Sequence, residues 1–204
     1  MHTWRKLLLV SLAVLGLLLL AGCGKSKFEG DWFALRNATS EQPLTLTVVH
    51  IEKDKQNKDF QLSFTDYYYE TTKTLDNKDT YEPDEVSEGL GPDDNGVIPQ
   101  YSFVSTWTVK KDYRVSTAPE KDGRLYLNNS GNTVTYDDKE GTLLMNTAFW
   151  GDLTFKKLGE KDISEFKQQE QTEIKRMLEE GYNKPDDGNR AVKLGTVSFV
   201  DGEK

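Results

Sequence analysis

The sequence predicts a mostly β domain, an antiparallel meander forming a barrel or sandwich, with one amphipathic helix near its C-terminus. Three observations carry this. Between residues 28 and 155, runs rich in Thr, Val, Tyr and Phe recur between polar turn clusters at short intervals, the spacing of an all-β chain. Within those runs apolar and polar residues alternate, as a strand with one buried face requires. Only over 162–180 do the apolar residues fall three and four apart.

Taken in order, the chain opens on Arg5 and Lys6, then an apolar run from Leu7 to Leu20 interrupted by Ser11 and Gly16. That run is short of the roughly 20 apolar residues a spanning helix needs, but it suits the apolar region of a secretory signal. It ends in Leu20-Ala21-Gly22-Cys23, which resembles the lipobox of bacterial lipoproteins. The resemblance implies that residues 1–22 are a signal peptide and that Cys23 becomes the first mature residue and carries the lipid. The membrane is then a partner through acyl chains on Cys23, and the protein belongs to the cell envelope. Gly24 stands where inner-membrane lipoproteins carry aspartate, so in a two-membrane host the resemblance implies the outer membrane. As the only cysteine, Cys23 has no internal disulfide partner.

Residues 23–28 form a short polar tether, and 29–204 have the length of a single β-rich domain. Gly24-Lys25-Ser26 ends like a phosphate-binding loop, yet Leu19 stands where that motif needs glycine. Removing residues 1–22 leaves 24 basic against 34 acidic residues, a net charge of −10. So acidic a body is no partner for nucleic acid, whose affinity rests on Lys and Arg neutralising phosphates. It is also repelled by anionic lipid, so the lipid must do the holding, and stable anchoring takes more than one chain.

Phe28 to Phe33 reads as a first strand. Leu44, Leu46 and Val48 alternate with threonines, then Val49 and Ile51 take the other parity, which predicts a bulge or a strand buried on both faces. Phe60, Leu62 and Phe64 alternate on a third strand that Tyr67-Tyr68-Tyr69 extends, with Asp54–Asp59 as the polar hairpin between. From Asp76 to Pro99 the pattern stops. Eight acids (Asp76, Asp79, Glu82, Asp84, Glu85, Glu88, Asp93 and Asp94) stand there against Lys78 alone, which predicts a long loop. Alternation resumes over Tyr101–Val109, then around Tyr113–Thr117, Leu125–Leu127, Val134–Tyr136, Leu143–Met145 and Leu153–Phe155. Asp162 with Glu165 predicts a capping box, and Ile163, Phe166, Ile174, Met177 and Leu178 share the buried face of the helix that Gly181 ends. A last strand follows through Val192, Leu194, Val197 and Phe199.

This order, with Gly30-Asp31-Trp32 on the first strand, a meander, one helix and a final strand, resembles the lipocalin and broader calycin barrels. The resemblance implies that Trp32 plugs one end of a barrel and that a late basic residue, Lys156 or Lys157 here, lies over it. Thr65-Asp66-Tyr67 spells a second signature of that family, but on the third strand, well before the family's place for it. A sandwich of strands and helix outside the family is the other architecture the pattern allows.

Chemistry is sparse. The mature chain has one histidine, His50, on a strand among threonines, where an ordinary surface role suits it better than catalysis. No Gly-x-Ser-x-Gly elbow, His-Glu-x-x-His motif or cysteine–histidine cluster occurs, so the reading is no enzyme, no cofactor and no metal; paired carboxylates for glycoside hydrolysis are the low-ranked alternative. The clustered carboxylates of the 76–99 loop are of the kind that holds Ca²⁺, but Asp93-Asp94-Asn95-Gly96 departs from EF-hand spacing and such loops are more often solvated. Tyr67–Tyr69 and Tyr81 are a possible stacking surface, though tyrosine is also an ordinary strand residue. Two functions follow: an envelope-anchored protein holding a small apolar ligand or peptide in its barrel, or an interaction lipoprotein or inhibitor without a pocket, whose acidic loop meets a basic partner protein. The ligand-holding function is the first reading and the interaction protein its alternative, although the large residues Phe60, Phe64, Phe103 and Trp107 point towards a filled interior.

Overall fold

A computed structural model describes residues 26–38, 43–76, 99–127, 131–147, 151–182 and 193–202. Cys23, the signal peptide, Tyr81 and residues 77–98 of the acidic segment lie outside the described residues. The described chain forms strands β1 (Gly30–Arg36), β2 (Thr45–Lys53), β3 (Phe60–Leu75), β4 (Gln100–Ala118), β5 (Glu120–Lys121) and β6 (Arg124–Leu127). It continues through β7 (Asn132–Asp137), β8 (Thr142–Thr147), β9 (Gly151–Lys157), helix α1 (Asp162–Tyr182) and β10 (Lys193–Asp201). The segments expected as strands at Tyr101–Val109 and Tyr113–Thr117 are one strand, β4. The break in alternation between them falls where β3 and β4 slip register, between Leu62 and Phe64.

The ten strands make one mixed sheet in the order β10-β4-β3-β2-β1-β9-β8-β7-β6-β5. All pairings are antiparallel except β10 with β4. That exception adds a parallel neighbour to the expected antiparallel meander, and its cause is α1. β9 ends beside Trp32, the 21-residue helix carries the chain roughly 30 Å back, and β10 then starts opposite Gln100 and runs with β4. The expected barrel is corrected: the sheet is not closed, and β10 and β5 stand at its ends. β10 occupies the second edge of β4 along 100–107, and Pro119, which has no N–H to give a ladder, separates β4 from the two-residue β5. On this side β6 hydrogen-bonds to that stub and to the Pro119 carbonyl, which accepts from the Tyr126 N–H at 3.1 Å.

The sheet nonetheless rolls on itself. Phe28, Trp32, Val49, Ile51, Phe60, Leu62, Ala118, Leu125, Val134, Leu143, Met145 and Phe155 meet in a single core, which brings β6 against the end of β4. The opposite face carries a second core of Leu46, Val48, Tyr69, Trp107 and the helix residue Phe166. Leu46 and Val48 therefore face the helix, and Val49 and Ile51 face the roll, along a β2 whose register with both neighbours is unbroken. The double burial expected there is real and needs no bulge. Phe103 and Trp107 are likewise not inward residues of the roll: Trp107 packs on Phe166 and Phe103 on Tyr182, both on the helix side.

Two details of α1 differ from expectation. Met177 is 52% exposed, and the helix docks through Phe166, Ile163 and Ile174, with Tyr182 against Phe103 near its end. Asp162 does not close a capping box. Its carboxylate accepts from the Gly159 N–H at 2.5 Å, while the Glu165 N–H reaches the Lys161 carbonyl at 2.9 Å.

Candidate functional site

β3 and β4, of 16 and 19 residues, outrun the short strands β6–β9 and project as a blade. One face of the blade is covered by α1. On the other, register aligns Tyr68 with Thr108, Glu70 with Thr106 and Thr72 with Val104, and Ser198 and Val200 of β10 extend the same row beside Val104 and Thr106. Val104 and Val200 are exposed there. The result is a hydroxyl-rich face with a few apolar side chains, three strands wide.

Where this face meets the roll stands a polar cluster. Arg36 Nη2 lies 2.6 Å from Asp66 Oδ2, Arg36 Nε donates to Thr47 Oγ1 at 2.9 Å, and Thr47 in turn donates to Asp66 Oδ1 at 2.7 Å. The Arg36 and Asp66 side chains keep only 14% and 25% of their exposure, and each is satisfied by the others. The cluster continues three alternating rows past the apolar core: Trp32 and Ala34 into Arg36, Ile51 and Val49 into Thr47, Phe64 into Asp66. That shared parity was the signal in the sequence. Parity alone does not join the three residues, because they come from separate strands.

At the other end, the Trp32 indole N–H donates to the Phe28 carbonyl at 2.9 Å, and Tyr136 meets the ring edge-on at 6.1 Å between centroids. Of the two expected lysines, Lys157 lies over Trp32, its Nζ 3.9 Å from the ring centroid and 2.8 Å from the Glu29 carbonyl. Gly30 has a φ of +119°, which L side chains rarely adopt, and a Cβ added there would also stand 2.6 Å from this ammonium.

The other named residues carry little chemistry. His50 is exposed, with Nδ1 2.7 Å from Asp31 Oδ1 and Nε2 3.9 Å from Glu52 Oε2. Among the described residues no group of three His, Cys, Asp or Glu side chains could hold a metal ion. The three tyrosines divide: Tyr67 and Tyr69 join the aromatic stack with Trp107 under the helix, and Tyr68 faces the other way. Burial raises the pKa of all three phenols, and at Tyr69 the bond from Gln171 Nε2 opposes it in part. They do not form one stacking surface. A shallow concavity lies on the outer side of β6–β9, between Arg124, Thr133, Thr135, Leu144, Asn146 and Asp152.

Among the described residues no helix is long and apolar enough to cross a membrane. Compared with known proteins, the chain matches no family model, no curated protein and no solved structure.

Proposed function

We propose that this is a lipid-anchored envelope protein that acts through its surface on a basic partner and does not enclose a ligand. The observation that carries this reading is the filled roll: Phe28, Phe60, Phe155, Leu125 and Met145 are fully buried where a ligand would sit, with Trp32 at one end. Close-packed interiors leave no space for a ligand without losing their contacts. The sequence between the end of β3 at Leu75 and the start of β4 at Gln100 holds eight acidic residues against one lysine, which is the charge a basic partner would recognise.

Two contacts support a lipocalin-like ancestry for this open sheet: Ala118 of β4 and Leu125 of β6 share one core, and Lys157 lies over Trp32.

Two titrations of the soluble body from Lys25 onward test the proposal. A cationic peptide such as oligolysine should bind, weaken between low and high salt as screening shortens its reach, and weaken again when Asp79, Glu82, Asp84, Glu85 and Glu88 are neutralised. A fluorescent fatty acid should show no saturable site. Stoichiometric uptake of the fatty acid, with cation binding indifferent to the five substitutions, would replace this reading by the ligand-holding one.

A further inference from the structure

We propose that the end of the body around Phe28 is a surface that lies against the phospholipid bilayer, so that the blade stands away from the membrane. This rests on the lipid-anchor reading of Cys23. Only three residue steps separate Cys23 from Ser26, a reach of roughly 10 Å. From Ser26 onward the chain is fixed: the Glu29 N–H donates to the Ser26 carbonyl at 3.0 Å, Phe28 is wholly buried, and Lys27 pairs with Asp138 at 3.3 Å. The body has no slack at its point of attachment.

The topology collects four connections at that end: the β2–β3 turn at 54–59, the β5–β6 turn at 122–123, the β7–β8 turn at 138–141 and the passage from β9 to α1. With the tether and the strand ends beside them, residues 25–31, 52–59, 120–124, 137–140 and 156–162 hold 11 basic and 12 acidic side chains. This end is therefore almost neutral, and nearly all of the body's net charge of −10 lies elsewhere, most of it in the segment after Leu75. Phe60 packs on Phe28, with ring centroids 5.9 Å apart, and Leu75 is fifteen residues further along the same strand, roughly 50 Å away. Lying flat would bring the acidic tip within a Debye length, about 8 Å, of anionic headgroups. Standing on the neutral end avoids that repulsion. Lys53, Lys55, Lys58 and Lys139 are exposed at this end and placed to meet headgroup phosphates.

The test uses the lipidated mature protein in vesicles of phosphatidylglycerol and phosphatidylethanolamine, acylated with a membrane-impermeant lysine reagent and mapped by mass spectrometry. Lys53, Lys55, Lys58 and Lys139 should label several-fold more slowly than Lys175 and Lys193, which are exposed elsewhere. A flexible insert of about 20 residues after Gly24, adding roughly 25 Å of reach, should remove the difference. Uniform labelling of a protein whose intact mass includes lipid overturns this inference and leaves the anchor standing, as does protection of Lys175 on the helix in place of the turn lysines. Intact mass without lipid on Cys23 overturns both.

Discussion

Trp32→Ala is the sharpest perturbation of the rolled core. The side chain is 2% exposed, and an indole buries on the order of 150–250 Å², worth roughly 4–6 kcal/mol at about 25 cal/mol/Å² as an upper bound. Measured truncations of buried aromatics cost about 3–5 kcal/mol, so about 4 is the working value. The loss also strips the Phe28 carbonyl of its donor and Lys157 of the ring beneath it, and Phe28 carries the start of the body. With a urea slope of about 2–3 kcal/mol/M, the unfolding midpoint of the soluble body should fall by about 1.5 M, read by far-UV circular dichroism. Trp32→Phe keeps most of the apolar area and gives up the N–H bond and part of the cation–π contact, so it should cost only about 1–2 kcal/mol. Adding Lys157→Met to each background should give a coupling of about 0.5–1 kcal/mol with Trp32 and less with Phe. A midpoint that moves by under about 0.3 M in Trp32→Ala would refute the argument, because a residue so placed cannot be removed from a packed core at the cost of a surface residue.

Phe166→Ala should cost about 3–5 kcal/mol and detach α1, whereas Met177→Ala, half-exposed on the same helix, should stay within about 0.5 kcal/mol; urea unfolding of both variants checks the docking face. Asp66→Ala leaves Arg36 and Thr47 without a shared acceptor in a half-buried cluster and should cost about 1–3 kcal/mol, against less than about 0.5 for the exposed Glu70→Ala. Glu170 on α1 is half-buried, and burial first and Glu173 second raise its pKa, so the folded state binds its proton more tightly than the unfolded chain does. The resulting loss of stability is absent below the ordinary glutamate value of about 4.3, develops as pH rises through the raised folded value and is complete at neutrality. Glu170→Gln should therefore raise the urea midpoint at pH 7 and lose that advantage in acid; an equal gain at both pH values would place its cause outside ionisation.

The residues that legibly determined structure are those whose meaning is local. Alternation marked the strand segments, although it divided β4 in two, because a side chain's face follows from the parity of its own position. Asp54–Asp59 and Asp137–Gly141 announced their turns, and Phe166 and Ile163 announced the docking face of α1, for the same reason. The switch of parity at Val48–Val49 already implied two buried faces, although a bulge would have left the same trace. The signal peptide and Cys23 are likewise a local reading, carried by the sequence alone.

What only the tertiary structure decided is which strands meet. Nothing near Lys193 says that β10 will lie parallel to β4, since that pairing depends on where α1 sets the chain down. Nothing near Pro119 says that β4 will end there, because a proline matters to a ladder only once a neighbour has been placed beside it. Arg36, Thr47 and Asp66 became one cluster through the register of three strands, and Phe103 and Trp107 passed from the roll to the helix side by the same rule. Parity along a strand is a property of the sequence, but which of the two faces is enclosed, and by what, is fixed only when distant segments pack.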